Sequence, residues 1–366
     1  MSDKSTRVRV ALAGFGAWGQ MHLQALQAGS AADVVAVYCH GENSATAARA
    51  LLPQARRFDD YPTMLAAGGF DVVNVTVPND VHAEFAIAAL QAGAHVFLEK
   101  PLGLDLAQCD AVIAASARTG RMVALDHELR VSHQWGAIRD LIAAGDIGTV
   151  RYQHFTLFRH PFRQGSGGWR YEPARVGSWI LEELVHFFDL VLWYATELGP
   201  PARVHAFGSD CGRGRGLQDS FVTVLEWPDG ATATLSQCLA GFEHHTALEV
   251  AGSGGALRTW WSGAMDRTLT PDFELKASRR GGTVERIAVP KSGEAFELEE
   301  NLRLTLAGFV AGRSTLPPQE ARASIAVCLA AEEAWRTGAA VSLDRWMTAP
   351  SVPAQEVPDQ PRRSPR

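Results

Sequence analysis

Apolar positions along the chain keep two different rhythms. Between residues 7 and 145 they gather into short runs at 7–13, 33–38, 72–77, 94–98 and 121–126, separated by stretches of helical character. Runs this short, rich in β-branched residues and apolar on both faces, predict buried strands of a parallel sheet. The best-punctuated unit is 71–101. There Pro78 stops a strand, Asn79 and Asp80 can cap a helix to about Gln91, and Gly93 closes that helix before a second strand. Further helices are expected to about Ala28, over 104–119, and after Arg130 to about Ala144. From Thr149 the runs lengthen, at 150–158, 203–207, 220–227, 231–238 and 246–251, with turns such as Trp227-Pro228-Asp229-Gly230. This second rhythm predicts a large, mostly antiparallel sheet, with helices over about 178–194 and 321–336. The expected class is α/β, with a parallel-sheet domain over 1–126, a second α/β domain with an open sheet over 127–347, and a Pro-rich polar tail over 348–366 expected to be disordered. No internal repeat is visible.

Composition narrows the function classes. The 366 residues are 46% apolar with a net charge of -6, enough for two cores and without the basic, aromatic-interleaved run of a nucleic-acid binder. Five cysteines, Cys39, Cys109, Cys211, Cys238 and Cys328, are odd in number, scattered and without metal spacing, so reduced thiols in a cytoplasmic protein are expected. The N-terminal residues carry no apolar leader, and no run of about 18 or more apolar residues occurs, so neither export nor a membrane span is expected. A small molecule is the expected partner.

The candidate chemistry sits at strand ends, because ligands of open parallel sheets bind beyond the carboxyl ends of the strands. The first strand runs into Gly14-Phe15-Gly16-Ala17-Trp18-Gly19 and then a helix. Gly14 allows the tight turn, Gly16 leaves the backbone bare for a pyrophosphate at the helix N-terminus, and Gly19 permits close helix packing. The second strand ends in Cys39-His40-Gly41 rather than in the carboxylate that holds an NAD ribose, with Glu42 a late substitute and His40 or Arg49 candidate partners of a 2′-phosphate. The cofactor expected is NAD or NADP, with a slight lean to NADP. Lys100 stands at a strand end beside the predicted nicotinamide, where it can stabilise an alkoxide; to act as a base its pKa would have to fall. His186 lies in the apolar segment Glu182-Glu183-Leu184-Val185-His186-Phe187-Phe188-Asp189, and its ordinary pKa of about 6.5 suits proton transfer at neutral pH. Arg159, His160, Arg163, Trp169 and Arg170 fall in a glycine-rich, aromatic loop that can hydrogen-bond and stack on a sugar, or equally brace itself. His244-His245 do not make a metal site, since neighbours on a strand face opposite ways, and no metal is expected.

Several of these segments together resemble one family. They are the glycine loop, Thr76-Val77-Pro78-Asn79 with His82, Ala92-Gly93-Ala94-His95-Val96 leading into Glu99-Lys100-Pro101, and Trp169-Arg170 before the 177–189 segment. Over roughly 7–345 the chain resembles the glucose-fructose oxidoreductase, inositol dehydrogenase and rhizopine catabolism (Gfo/Idh/MocA) family. The resemblance implies a Rossmann domain followed by a substrate-binding and oligomerisation domain, a homodimer or homotetramer, and NAD(P)-dependent hydride transfer on a sugar, polyol or related carbohydrate. It also implies that Thr76, Pro78, Asn79, His82 and Glu99 lie along the dinucleotide with Lys100, and that His186 is the acid/base histidine. Where the family has an aspartate and a glycine before that histidine, this chain has Glu182 and Leu184. Glu182, one helical turn before His186, is the expected replacement, available to substrate or imidazole, with Glu183 its competitor. The alternatives are a glycosidase that retains its NAD and a non-catalytic dinucleotide sensor; the presence of both Lys100 and His186 weighs against the sensor.

Overall fold

The computed structural model describes residues 7–29, 31–210, 216–279 and 281–348. The expected disordered tail, from residue 349 onward, lies outside the described residues, as does Cys211.

The short apolar runs form a six-stranded sheet of β1 (Val8–Ala13), β2 (Ala32–Tyr38), β3 (Arg56–Phe58), β4 (Val72–Val75), β5 (His95–Leu98) and β6 (Val123–Leu125). Its order is β3-β2-β1-β4-β5-β6, and every pairing is parallel. The chain thus reverses direction of growth between β1 and β4, the position at which a doubly wound sheet opens a crevice. β4 ends at Val75, two residues earlier than its apolar run suggests, because Thr76 N–H turns to the carbonyl of Ala13 and closes the crevice floor. The next helix does not use Asn79 or Asp80 as a side-chain cap. Residues Asn79–Val81 form one 3-10 turn before the helix His82–Gln91, and the Asn79 amide is drawn elsewhere.

The second sheet has nine strands: β7 (Val150–Phe158), β8 (Arg203–Ser209), β9 (Ser220–Glu226), β10 (Thr232–Cys238), β11 (His244–Gly252), β12 (Gly255–Gly263), β13 (Asp272–Arg279), β14 (Val284–Ile287) and β15 (Val341–Ser342). The order is β14-β13-β12-β11-β7-β10-β9-β8-β15, and β7 with β10 is its one parallel pair among the described residues. β12, β13 and β14 extend the antiparallel meander beyond the five strands that the hydrophobic rhythm predicts. The helix expected over 178–194 begins as a π-helical turn, Ile180–Leu184, and continues as an α-helix, Val185–Tyr194. The stretch after Arg130 holds a helix only at Trp135–Ala143.

A second long helix, Glu294–Val310, packs against the glycine-loop helix Ala17–Gly29. Its Leu298, Leu302, Leu306 and Phe309 join Leu12, Leu23 and Leu26 in the core under the first sheet. Burying each such side chain is worth about 1.5–3 kcal/mol, enough to hold a late segment of the chain on the first sheet. The consequence for the site is that residues from both ends of the chain wall one crevice.

Candidate active site

The crevice is a cleft of about 910 Å³ at the carboxyl ends of the first sheet. From the first sheet and its loops it is lined by Gly14–Trp18, Tyr38, His40–Ser44, Thr76–Asn79 and Lys100, and from the later part of the chain by Arg159, Trp169, Glu182, Glu183, His186 and Glu294. The glycine loop behaves as its spacing requires. Gly14 has φ +100° and a Cβ there would stand 2.8 Å from the carbonyl oxygen of Thr76, while a Cβ on Gly19 would stand 2.4 Å from that of Gly14. Nothing lies within 4 Å of a Cβ built on Gly16, so that point of the loop is open to a ligand at the N-terminus of the helix Ala17–Gly29. These residues fit a dinucleotide: a bare backbone for the pyrophosphate, followed by unsatisfied helix N–H groups.

Of the other expected cofactor contacts, Thr76, Pro78 and His40 line the cleft. Cys39 does not. Its side chain is buried in the core, with its thiol toward the carbonyl of Ser44, because the strand period turns it inward. His82 lines the cleft, but its ring nitrogens bond the carbonyl oxygens of Pro101, at 2.7 Å, and Val77, at 2.8 Å, so the ring braces the turns around it. Glu99 is likewise occupied by protein. It accepts from the Trp18 indole and pairs with His22 at 2.8 Å, and His22 in turn meets Asn74 at 3.0 Å. Asp126, 3.8 Å from His22, accepts from Asn301 at 2.7 Å. Burial pushes Glu99 up, but His22 and Lys100 outweigh it and hold the carboxyl below its usual range, whereas burial and then Glu99 and Glu128 push Asp126 well up. The cluster therefore keeps one carboxylate and one carboxylic acid behind the loop, and ties Trp18 to the strand that carries Lys100.

Lys100 follows β5, and its ammonium donates to the backbone carbonyl of Glu182. Burial favours the neutral amine, but Glu182, Glu183 and Glu99 outweigh it, so its pKa is raised. This is the reverse of the fall that a basic lysine needs. Glu182 is buried, accepting from Arg170 Nε at 2.6 Å and Asn79 Nδ2 at 2.9 Å. Its carboxyl is held low because Lys100 and Arg170 overcome the cost of burial. Glu183 pairs with Arg159 at 2.7 Å, and Arg159 and Arg163 each reach Asp266 at 3.2 Å. Trp169 carries the Arg170 guanidinium on its face, 4.6 Å from the ring centre. The loop arginines are thus braced by carboxylates, and His160 is not among the residues that line the cleft.

His186 is brought to the same cleft, 8% exposed. Its imidazole does not meet Glu182. Nδ1 lies 3.4 Å from Nδ1 of His127 and 3.6 Å from Oε2 of Glu128, because the π turn between them rotates Glu182 toward Asn79 and Arg170. Burial, then Lys100 and His127, push His186 well below its ordinary pKa. Glu128, Asp266, Arg267 and Glu294 were not singled out by the sequence. Asp126-His127-Glu128 directly follows β6, and a strand end of a parallel sheet is itself a signal. The other three reach the cleft by long-range folding alone. His244 and His245 face opposite ways as expected: His244 packs on Trp261 in the cleft wall, and His245 bonds Ser262 on the other face of the sheet.

Two family models match this chain: "Oxidoreductase family, NAD-binding Rossmann fold" over residues 8–127, and "GFO/IDH/MocA C-terminal domain" over 135–258. The chain belongs to the GFO/IDH/MocA family. Among relatives in that family, a 1,5-anhydro-D-fructose reductase of Ensifer adhaerens is 31% identical over 192 residues, 51% of this chain and 56% of that protein. The aligned part is therefore only about half of that relative's length. An inositol 2-dehydrogenase of Salmonella typhimurium is 28% identical over 257 residues, 68% of this chain and 72% of that one. The fold is shared with the crystal structure of a putative NADPH-dependent oxidoreductase from Desulfitobacterium hafniense, with TM-score 0.80 and 21% identity over 94% of this chain and 99% of that one.

Proposed function

We propose that this chain is an NAD(P)-dependent oxidoreductase that moves a hydride between nicotinamide and the CH–OH carbon of a sugar, polyol or related carbohydrate. The observation that carries this reading is that Lys100 and His186, 86 positions apart in the sequence, line one cleft with the open Gly16 turn. When bound, the dinucleotide supplies the hydride acceptor or donor. The protein's groups divide the remaining work. Lys100, kept as an ammonium by the carboxylates around it, donates to the reacting oxygen and steadies the charge that develops there. His186, kept neutral, takes the hydroxyl proton in oxidation and returns it in reduction. Glu182 acts chiefly by holding Arg170, Asn79 and, through its carbonyl, Lys100, while Arg159 and Trp169 wall the substrate end. The relatives' names, a reductase of a sugar derivative and an inositol dehydrogenase, support the carbohydrate class.

NADP is favoured over NAD. No carboxylate directly follows β2, Glu42 is turned onto Arg49, and the first turn of the helix Glu42–Leu51 lines the cleft. The division into a dinucleotide domain over 1–126 and a substrate domain over 127–347, a cytoplasmic location and a homodimer or homotetramer belong to the same reading. The broad second sheet, with a shallow depression on one face lined by His154, Trp260 and Lys276, offers the surface for assembly. The test is a panel of free, phosphorylated and acidic sugars and polyols, followed at the nicotinamide absorbance band with each cofactor. Turnover of a neutral sugar or polyol with NADP at least as good as NAD is expected; no turnover across the panel overturns the reading.

A further inference from the structure

Arg267 is a cleft cation that the reading of Lys100 and His186 leaves without a task. It lies between β12 and β13, and its guanidinium rests on the Trp18 indole, 4.5 Å from the ring centre, with both residues lining the cleft. The other cleft arginines are engaged by carboxylates at 3.5 Å or less: Arg159 by Glu183, Arg163 by Asp266, Arg170 by Glu182 and Arg175 by Asp80. Arg267 is held more loosely. Glu294 Oε2 stands 3.7 Å from its Nε, and both atoms are buried without a hydrogen-bond partner among the described residues. Burial and then Asp266 raise the Glu294 carboxyl to about 7, so this neighbour carries only part of a charge near neutrality.

The place is electrostatically unfavourable for an arginine unless an anion joins it. Trp18 is the second residue of the helix Ala17–Gly29, so a group stacked on its ring stays at the positive, N-terminal end of that helix. No acidic residue stands in the first turn to offset that charge, and Glu99, which accepts from the Trp18 indole, is already shared with His22. The open Gly16 turn lies at the same helix end. We propose that Arg267 is a dinucleotide-binding residue, held on Trp18 so that its guanidinium pairs with the pyrophosphate bound at the glycine loop.

This proposal rests on the oxidoreductase reading and adds to it a cofactor contact from the second sheet. A guanidinium presents a planar fork of N–H donors that suits phosphate oxygens, and stacking on an indole takes up its face while leaving its edge able to donate. The loop that carries it is anchored by the preceding residue. Asp266 accepts from Arg159 and from Arg163, each at 3.2 Å, so the arginine is positioned before a ligand arrives.

The experiment is calorimetric titration of the full-length protein with NADP⁺ and with NAD⁺, at about 0.05 and about 0.5 M salt. Arg267→Met keeps an apolar contact with Trp18 and removes the charge. It is expected to weaken both dinucleotides alike, by roughly 10-fold or more at low salt, because they share the pyrophosphate. Raising the salt should cost the parent more affinity than it costs the variant, a difference that mere bracing of Trp18 does not produce. Arg267→Lys, with the charge but without the planar fork, should fall between the two, and it serves as the test if the methionine variant does not fold. Unchanged affinity in Arg267→Met, or in Arg267→Lys if only that variant folds, overturns the proposal. A loss confined to NADP⁺ also overturns it, since that places Arg267 at the 2′-phosphate. Binding does not depend on which substrate turns over, so a failed carbohydrate panel leaves this result standing, whereas a parent chain that binds neither dinucleotide overturns both claims.

Discussion

The Asn79 side-chain amide donates to Glu182 Oε2 at 2.9 Å, joining residues 103 positions apart. Asn79 follows β4 of the first sheet, and Glu182 stands in the π turn that opens the helix beside the second. The same amide reaches the carbonyl of Val176 at 3.2 Å, and Glu182 also receives Arg170. One buried carboxylate therefore fixes the dinucleotide end of the cleft to its substrate end.

Glu182→Gln removes the charge while keeping the shape. The Arg170 guanidinium, 24% exposed, then loses its close anion, and Lys100 loses the carboxylate that most raises its pKa. Breaking such a part-buried pair is expected to cost about 1–3 kcal/mol in urea denaturation. A fall in kcat/KM of roughly 10-fold is expected beside it, because Lys100 is no longer steadied as an ammonium. Glu183→Gln, which frees Arg159 instead, should leave the Asn79 anchor intact and lose less activity.

The glycine loop separates binding from packing. Gly16→Val places branched carbons in open space, so the fold should stand while calorimetry shows dinucleotide binding lost. Gly19→Ala places a carbon 2.4 Å from the Gly14 carbonyl and 2.9 Å from Thr76 Oγ1, and overpacking of that kind costs about 1–3 kcal/mol. Thermal unfolding should therefore distinguish them, Gly19→Ala lowering Tm and Gly16→Val leaving it near the parent value.

Lys100→Met keeps much of the side-chain length without the charge. Dinucleotide affinity should change little, and kcat should fall by roughly 10²- to 10⁴-fold, the usual contribution of a positioned proton-transfer or oxyanion-stabilising group. Stopped-flow measurement of a single turnover separates this loss from slow product release. A variant with more than about half the parent rate would show that Lys100 takes no part in the chemistry.

The first sheet was legible because its strands are short, apolar and punctuated by Gly and Pro, and the site was legible where it depends on that punctuation: Gly14, Gly16, Gly19, Pro78 and Lys100. β12 and β13 were not, since their runs are broken by charged and small residues such as Arg258, Glu274 and Lys276 on the face away from the helices. The helix Glu294–Val310 hid for another reason. Its apolar stripe matches the groove beside the helix Ala17–Gly29, almost three hundred residues earlier, and nothing local shows which sheet it will cover. Cys39 failed as a cofactor contact because its side chain points into the core, and the partnership of Glu182 with His186 failed because one π turn rotates the carboxylate away. Spacing rules assume an α-helix.

The last expectation concerns stability against pH, and a carboxyl outside the cleft. Glu332, on the helix Pro318–Thr337, accepts from the Ser178 hydroxyl, and burial raises its carboxyl to about 7. An unfolded glutamate titrates near about 4.3, so between that value and about 7 the folded chain binds a proton that the unfolded chain has released. Stability from this group is thus fully present below about pH 4.3 and is lost as pH rises through the folded value. Glu332→Gln cannot ionise and can still accept from Ser178. It should therefore match the parent near pH 4 and exceed it at pH 8 by about 1–2 kcal/mol, a figure kept below the full linkage value because the side chain is part-exposed. Urea denaturation at the two pH values measures the difference directly. A glutamine variant less stable than the parent at pH 8 would mean that the ionised carboxylate is stabilised at this position by the hydroxyl of Ser178.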